Sequence, residues 1–78
     1  NEKRYLLEGR VRISIGNLKE AEASLKKALE INPDMVDAYF YLGLVYEAEG
    51  DKWKARKQWE KGYRTDPDYA PIKDKLFR

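Results

Sequence analysis

"INPDMVDAYFYLGLVYEAEGD", Ile31 to Asp51, decides the fold. Its centre, Ala38 to Tyr46, is an unbroken run of apolar, aromatic and glycine residues with acidic residues on both sides. The run is far too short to span a bilayer. Pro33-Asp34 ahead of it stops one helix and offers an aspartate N-cap to the next. Gly50-Asp51 behind it ends the helix on glycine and caps its successor. The stretch therefore predicts a helix over about 35–48 that is apolar nearly all round, which demands neighbours on several sides. Tyr39, Tyr41 and Tyr46 suit such a helix, because the ring packs while the hydroxyl reaches a polar edge.

Shifting the sequence by 34 residues lays it on itself. Tyr5 meets Tyr39, Gly9 meets Gly43, Val11 meets Val45, Gly16 meets Gly50 and Asn17 meets Asp51. Ala21 meets Ala55, Leu25 meets Trp59, Ala28 meets Gly62 and Pro33 meets Pro67. Small meets small and bulky meets bulky, so the likeness is structural rather than compositional. Each unit reads helix–turn–helix, with helices expected at about 2–15, 18–31, 35–48, 52–65 and 69–77. Asn17 with Glu20 reads as a capping box, and Asp68 as the N-cap of the last helix. Pro71 falls in that helix's first turn, where its missing N–H costs little. No segment alternates as a strand would. The fold class is all-α. Residues 1–78 make one domain, with repeats at about 2–33 and 34–67 and a closing helix at about 69–77.

Tyr39-x-x-Leu42-Gly43-x-x-Tyr46, then Ala55-x-x-x-Trp59, then Pro67, resembles the signature of the tetratricopeptide repeat (TPR) family, as does the 34-residue period. The first repeat matches through Tyr5, Gly9, Ala21, Leu25, Ala28 and Pro33. It departs at Glu8, opposite Leu42, and at Arg12, opposite Tyr46. The resemblance implies an α-solenoid fragment that binds proteins as an adaptor or scaffold. It also implies that the first helix of each repeat lines a concave face holding a peptide or a partner's helix. Steps of three and four residues then place Lys3, Leu6, Arg10 and Ile13 on that face from the first helix. Asp37, Phe40, Leu44 and Glu47 come from the third, and Asp74 and Arg78 from the last. Leu6, Ile13, Phe40 and Leu44 would form an apolar floor inside a charged rim. The competing reading is that this floor is covered by further repeats or by self-association. Some relatives grip a chaperone's C-terminal carboxylate with basic and asparagine side chains. Leu6 and Phe40 stand where such a clamp needs polar groups, so no tail receptor is expected.

Composition narrows the chemistry. There is no cysteine and no histidine, which removes thiolate metal sites, disulfides and the commonest general base. Ser14, Ser24 and Thr65 are isolated hydroxyls with nothing to activate them, and no glycine-rich phosphate loop is present. No enzyme activity, cofactor, metal or small-molecule substrate is expected. Charged residues make up 38% of the chain, yet the formal charge is only +2, which suits a soluble helical protein. No signal-peptide pattern appears, and a start at Asn1 rather than Met suggests an excised or processed piece. A cytoplasmic setting is the expectation.

Residues 51–64, "DKWKARKQWEKGYR", interleave basic residues with Trp53, Trp59 and Tyr63. Backbone contact and base stacking would use such a pattern. The repeat claims Trp59 and Gly62, however, and the lysines read as a solvated face balanced by the acidic helix before it. Nucleic acid is therefore not the expected partner. Trp53 is outside the repeat pattern; it either packs on the edge of the helix pair or meets a partner.

Overall fold

A computed structural model describes all residues 1–78. It contains α1 (Glu2–Ser14), α2 (Leu18–Ile31), α3 (Val36–Ala48), α4 (Lys52–Thr65) and α5 (Ala70–Phe77). α1 pairs with α2 and α3 with α4 as antiparallel hairpins; α2 also packs on α3, and α5 on α4. The result is a slab of 28 × 26 × 16 Å, so thin that every helix except the middle one turns a broad face to solvent.

The turns follow from a few residues. Gly16 and Gly50 adopt φ of +81° and +86°, a region other residues enter at a cost. That conformation lets Asn17 N–H reach the Arg12 carbonyl at 2.8 Å and Asp51 N–H the Tyr46 carbonyl at 2.9 Å, closing both helix ends. The two proline turns work differently from the sequence expectation. Asp34 and Asp68 cap nothing; α3 and α5 begin at Met35 and Tyr69 without a side-chain cap. The residues before the prolines do the work. Asn32 and Asp66 are held extended, as pre-proline residues are. Their side chains accept from the Asp34 and Asp68 N–H groups at 3.1 and 3.0 Å, forming Asx turns.

The capping box at Asn17 is also absent. Its amide donates to Glu20 Oε2 at 2.5 Å instead of accepting from the helix backbone. Asp51, its counterpart, has no donor to offer and faces Lys54 three residues on, so its carboxylate accepts from Lys54 N–H at 3.0 Å.

Between the hairpins lies a core of Ala21, Leu25, Leu42, Val45, Tyr46, Ala55, Trp59 and Ile72. α3 contributes the largest share, with Leu42, Val45 and Tyr46. Ala38, Leu42, Gly43, Val45 and Tyr46 are buried, and Tyr39, Phe40, Tyr41 and Leu44 are half-buried. Two of the three tyrosine hydroxyls reach polar edges: Tyr46 donates to Glu22 at 2.9 Å and Tyr39 to the Pro33 carbonyl at 3.0 Å. Where the first repeat departs from the pattern, Arg12 donates to Ser24 Oγ at 2.7 Å and lies 3.7 Å from Glu8. α1 thus buries only Gly9.

Helix approach is governed by missing side chains. A Cβ on Gly43 would fall inside the Trp59 indole, 2.5 Å from Cε2 and 2.6 Å from Cδ1. Gly43→Ala is therefore expected to cost about 1–3 kcal/mol by overpacking, although alanine is the better helix former by about 1 kcal/mol. Urea melts measure the balance; a variant as stable as the wild type would show that Trp59 can move aside freely.

Candidate partner-binding face

Steps of three and four residues along α3 carry Asp37, Phe40, Leu44 and Glu47 up one side of the helix. Two open clefts flank that row. One of about 640 Å³ lies between α3 and α5, walled by Phe40, Ala70, Pro71, Asp74, Lys75 and Arg78. The other, of about 390 Å³, lies between α1 and α3. Leu7, Arg10, Val11, Ile13, Tyr41 and Leu44 line it.

The structure divides the residues expected in one groove. Arg10, Ile13 and Leu44 share the cleft beside α1, and Phe40, Asp74 and Arg78 share the cleft beside α5. Glu47 stands at the rim, held by Lys75 Nζ at 3.0 Å. Asp37 is half-buried on the same side of α3. Leu6 is half-buried and packs on the core, and Lys3 is exposed; neither lines a cleft. Phe40 is less free than an outward-looking residue would be. Its ring meets Tyr41 edge-on at 5.1 Å and Tyr69 at 6.1 Å, and its carbonyl accepts from Trp59 Nε1 at 3.2 Å.

Tyr41, Tyr69 and Lys75 were not anticipated on this face. Tyr41 has a signal in the sequence: Asp37, Tyr41 and Leu44 are themselves a stripe of four and three beside the one that runs through Phe40. Tyr69 carried no signal, since it precedes its helix and its place depends on how α5 folds back.

The Arg10 guanidinium lies over the Tyr41 ring, 5.1 Å from its centroid. Burial pushes the Tyr69 hydroxyl up to about 12, and the Asp37 carboxylate and Tyr41 add to the shift against an opposing pull from Arg10. The three serine and threonine hydroxyls are all engaged in hydrogen bonds. Ser14 donates to the Val11 carbonyl at 2.7 Å and Thr65 to that of Lys61 at 3.0 Å, while Ser24 accepts from Arg12. Around the two clefts lies aromatic and aliphatic surface edged by charges of both signs.

The Tyr69 environment has a measurable consequence. A phenol whose folded pKa is about 12 rather than the ordinary 10.0 keeps its proton where the unfolded chain releases it. The stability it contributes is whole below about pH 10 and is lost as pH rises through about 12. Thermal melts across that window should fall more steeply for the wild type than for Tyr69→Phe; equal slopes would place Tyr69 in open solvent.

Comparison with known proteins agrees with this architecture. A family profile described as a TPR repeat matches residues 9–50. The chain is 32% identical over 68 residues to the type IV pilus assembly protein PilF of Pseudomonas aeruginosa, a match covering 87% of this chain and 27% of that protein. It is 36% identical over 62 residues to cellulose synthase operon protein C of Komagataeibacter xylinus, covering 80% of this chain and 5% of that protein. The chain thus spans about a quarter or less of these relatives. The crystal structure of MamA superposes with a TM-score of 0.89 at 29% identity, over 92% of this chain and 42% of MamA. With two matched hairpins, the glycine-to-aromatic contacts between helices and a five-helix solenoid without strands, the chain belongs to the tetratricopeptide repeat family, a fold of protein–protein interaction modules.

Proposed function

We propose that this chain acts as a non-catalytic adaptor that receives a peptide or a partner's helix across the row on α3. The observation that carries this reading is the pair of clefts on either side of that row. Phe40 walls one and Leu44, with Ile13 and Tyr41, walls the other. All four are half-buried in the free chain, so a partner has apolar area left to cover. A ligand lying across α3 would set one apolar side chain into each cleft. Its flanking residues would meet Arg10 on one side and the Asp74, Lys75 and Arg78 cluster on the other.

Peptides selected from a display library against the folded chain test this. Amide shifts in an NMR titration should concentrate at Phe40, Tyr41 and Leu44. Leu44→Ala is expected to weaken binding by about 2 kcal/mol, as truncating a central anchor does, with Arg10→Glu acting chiefly on the association rate and its salt dependence. Phe40→Ala is a poorer probe, because its ring also packs on Tyr41 and Tyr69 and stability will fall with affinity. Shifts that map to α4 alone, or a Leu44→Ala variant that binds as the wild type does, would end the proposal.

A second reading, self-association, is favoured by the exposed apolar side of α1, which shares Leu7 and Val11 with the cleft beside α3. Leu7, Val11 and Ile15 are 58%, 51% and 71% exposed at successive turns. Val45, the counterpart of Val11 in the second repeat, is fully buried because α2 and α4 pack on α3. Light scattering over a dilution series is expected to show assemblies that dissociate in Val11→Asp. A wild type monomeric at every concentration would leave this edge without a role in assembly.

A further inference from the structure

α4 carries charge that the rest of the molecule does not neutralise. Lys52, Lys54, Arg56, Lys57, Lys61 and Arg64 are all exposed. Only Arg56 has a carboxylate partner, Glu60 at 3.3 Å. The acidic residues of α3 do not balance this helix as the sequence allowed: Glu47 is taken by Lys75 at 3.0 Å, and no ion pair joins α3 to α4. Trp53 is equally unaccounted for. It is 70% exposed rather than packed on the hairpin edge, and its one close companion is Lys57 Nζ, 5.4 Å from the ring centroid. Steps of four, four and three put Trp53, Lys57, Lys61 and Arg64 on one side of α4, away from Ala55, Trp59 and Gly62, which enter the core.

We propose that this outward side of α4 docks the protein on an anionic lipid bilayer. Trp53 would enter the headgroup layer, and Lys57, Lys61 and Arg64 would lie against lipid phosphates. Charge selects an anionic partner, and shape selects a flat one, since the ridge is the convex flank of a straight helix rather than a groove. A lone exposed indole beside lysines suits a headgroup layer, where the ring is buried and its N–H stays wet. Single-stranded nucleic acid fits less well, because it needs successive aromatic platforms. Trp59 is only 6% exposed, and the half-buried Tyr63 has its ring against Phe77 at 5.2 Å. The ridge shares no residue with the two clefts beside α3, so this docking does not depend on the adaptor reading.

Vesicle co-sedimentation of the intact chain is the test. One vesicle set is phosphatidylcholine alone, and the other is phosphatidylcholine mixed with phosphatidylglycerol. Binding is expected only to the second set, declining as salt is raised. Tryptophan emission should shift to the blue on binding, and Trp53→Phe should abolish the shift because Trp59 is already buried. Lys57→Glu with Arg64→Glu should lower partitioning by roughly 25-fold or more. The milder Lys57→Gln with Arg64→Gln guards against misfolding and should give a smaller loss in the same direction. Equal partitioning onto neutral vesicles, none onto anionic vesicles at low salt, undiminished binding by both folded double variants, or tighter binding of oligothymidine than of anionic vesicles would each overturn the proposal.

Discussion

The indole of Trp59 occupies the space that any side chain at position 43 would need. That single exclusion lets α4 approach α3 closely enough to bury a ring as large as tryptophan's. The approach also satisfies the ring's polar atom, since Nε1 donates to the Phe40 carbonyl at 3.2 Å. The carbonyl belongs to the residue whose side chain walls the cleft beside α5. Core contact and cleft wall therefore meet in one residue, and a displaced Trp59 would disturb the α3 row that carries Phe40 and Leu44. The same device holds the first hairpin more softly. There Leu25 fills the space above Gly9 with carbons 2.7 Å from where a Cβ would stand, and no buried donor needs a partner.

A chain of this length without disulfides has little area to bury, and repetition limits what each hairpin can bury alone. The two ends of the slab solve this unequally. At one end α5 repeats the register of α3: Ile72 stands where Ala38 does, and both are fully buried. Ile72 covers Gly62 as it does so. Phe77, however, stands where Gly43 does and turns its ring onto Tyr63. The outer side of α5 therefore offers no recess like the one Trp59 fills. At the other end no helix covers the outer side of α1: Val11, the counterpart of the fully buried Val45, is left in solvent with Leu7 and Ile15.

The helices were legible because their signals are local. Glycine at a left-handed position and an apolar period are written in neighbouring residues, and the repeat wrote them twice. Errors fell where two local chemistries compete. Asp34 and Asp68 look like caps, but the side chain before the proline reaches their backbone N–H first. Asn17 looks like a cap, but its amide has donors that Glu20 takes. The candidate face was harder to see, because a stripe says which side a residue is on and not how deeply its neighbours sink. Leu6 and Phe40 are expected on the same floor, yet Leu6 lines neither cleft, and Phe40 meets edge-on the ring of Tyr69 from a segment 29 positions on in the sequence. Tertiary distance of that kind leaves no mark on the period.

The distribution of charge separates the two faces more sharply than the net charge suggests. Around the α3 row charges of both signs lie close together, with Lys75 on Glu47 and with Asp37 and Arg10 acting on Tyr69 in opposite directions. Opposite charges mixed in this way contribute little long-range field. Along α4 five cations lack a carboxylate within ion-pair distance, so their fields add. Added fields act over about 8–10 Å at physiological salt and do not depend on an exact fit. One fold thus sets apolar clefts edged by mixed charge beside α3 and unpaired positive charge along α4. The hairpin forces this division, because α3 must sit in the middle of the slab while α4 spends only its Ala55, Trp59 and Gly62 side on the core.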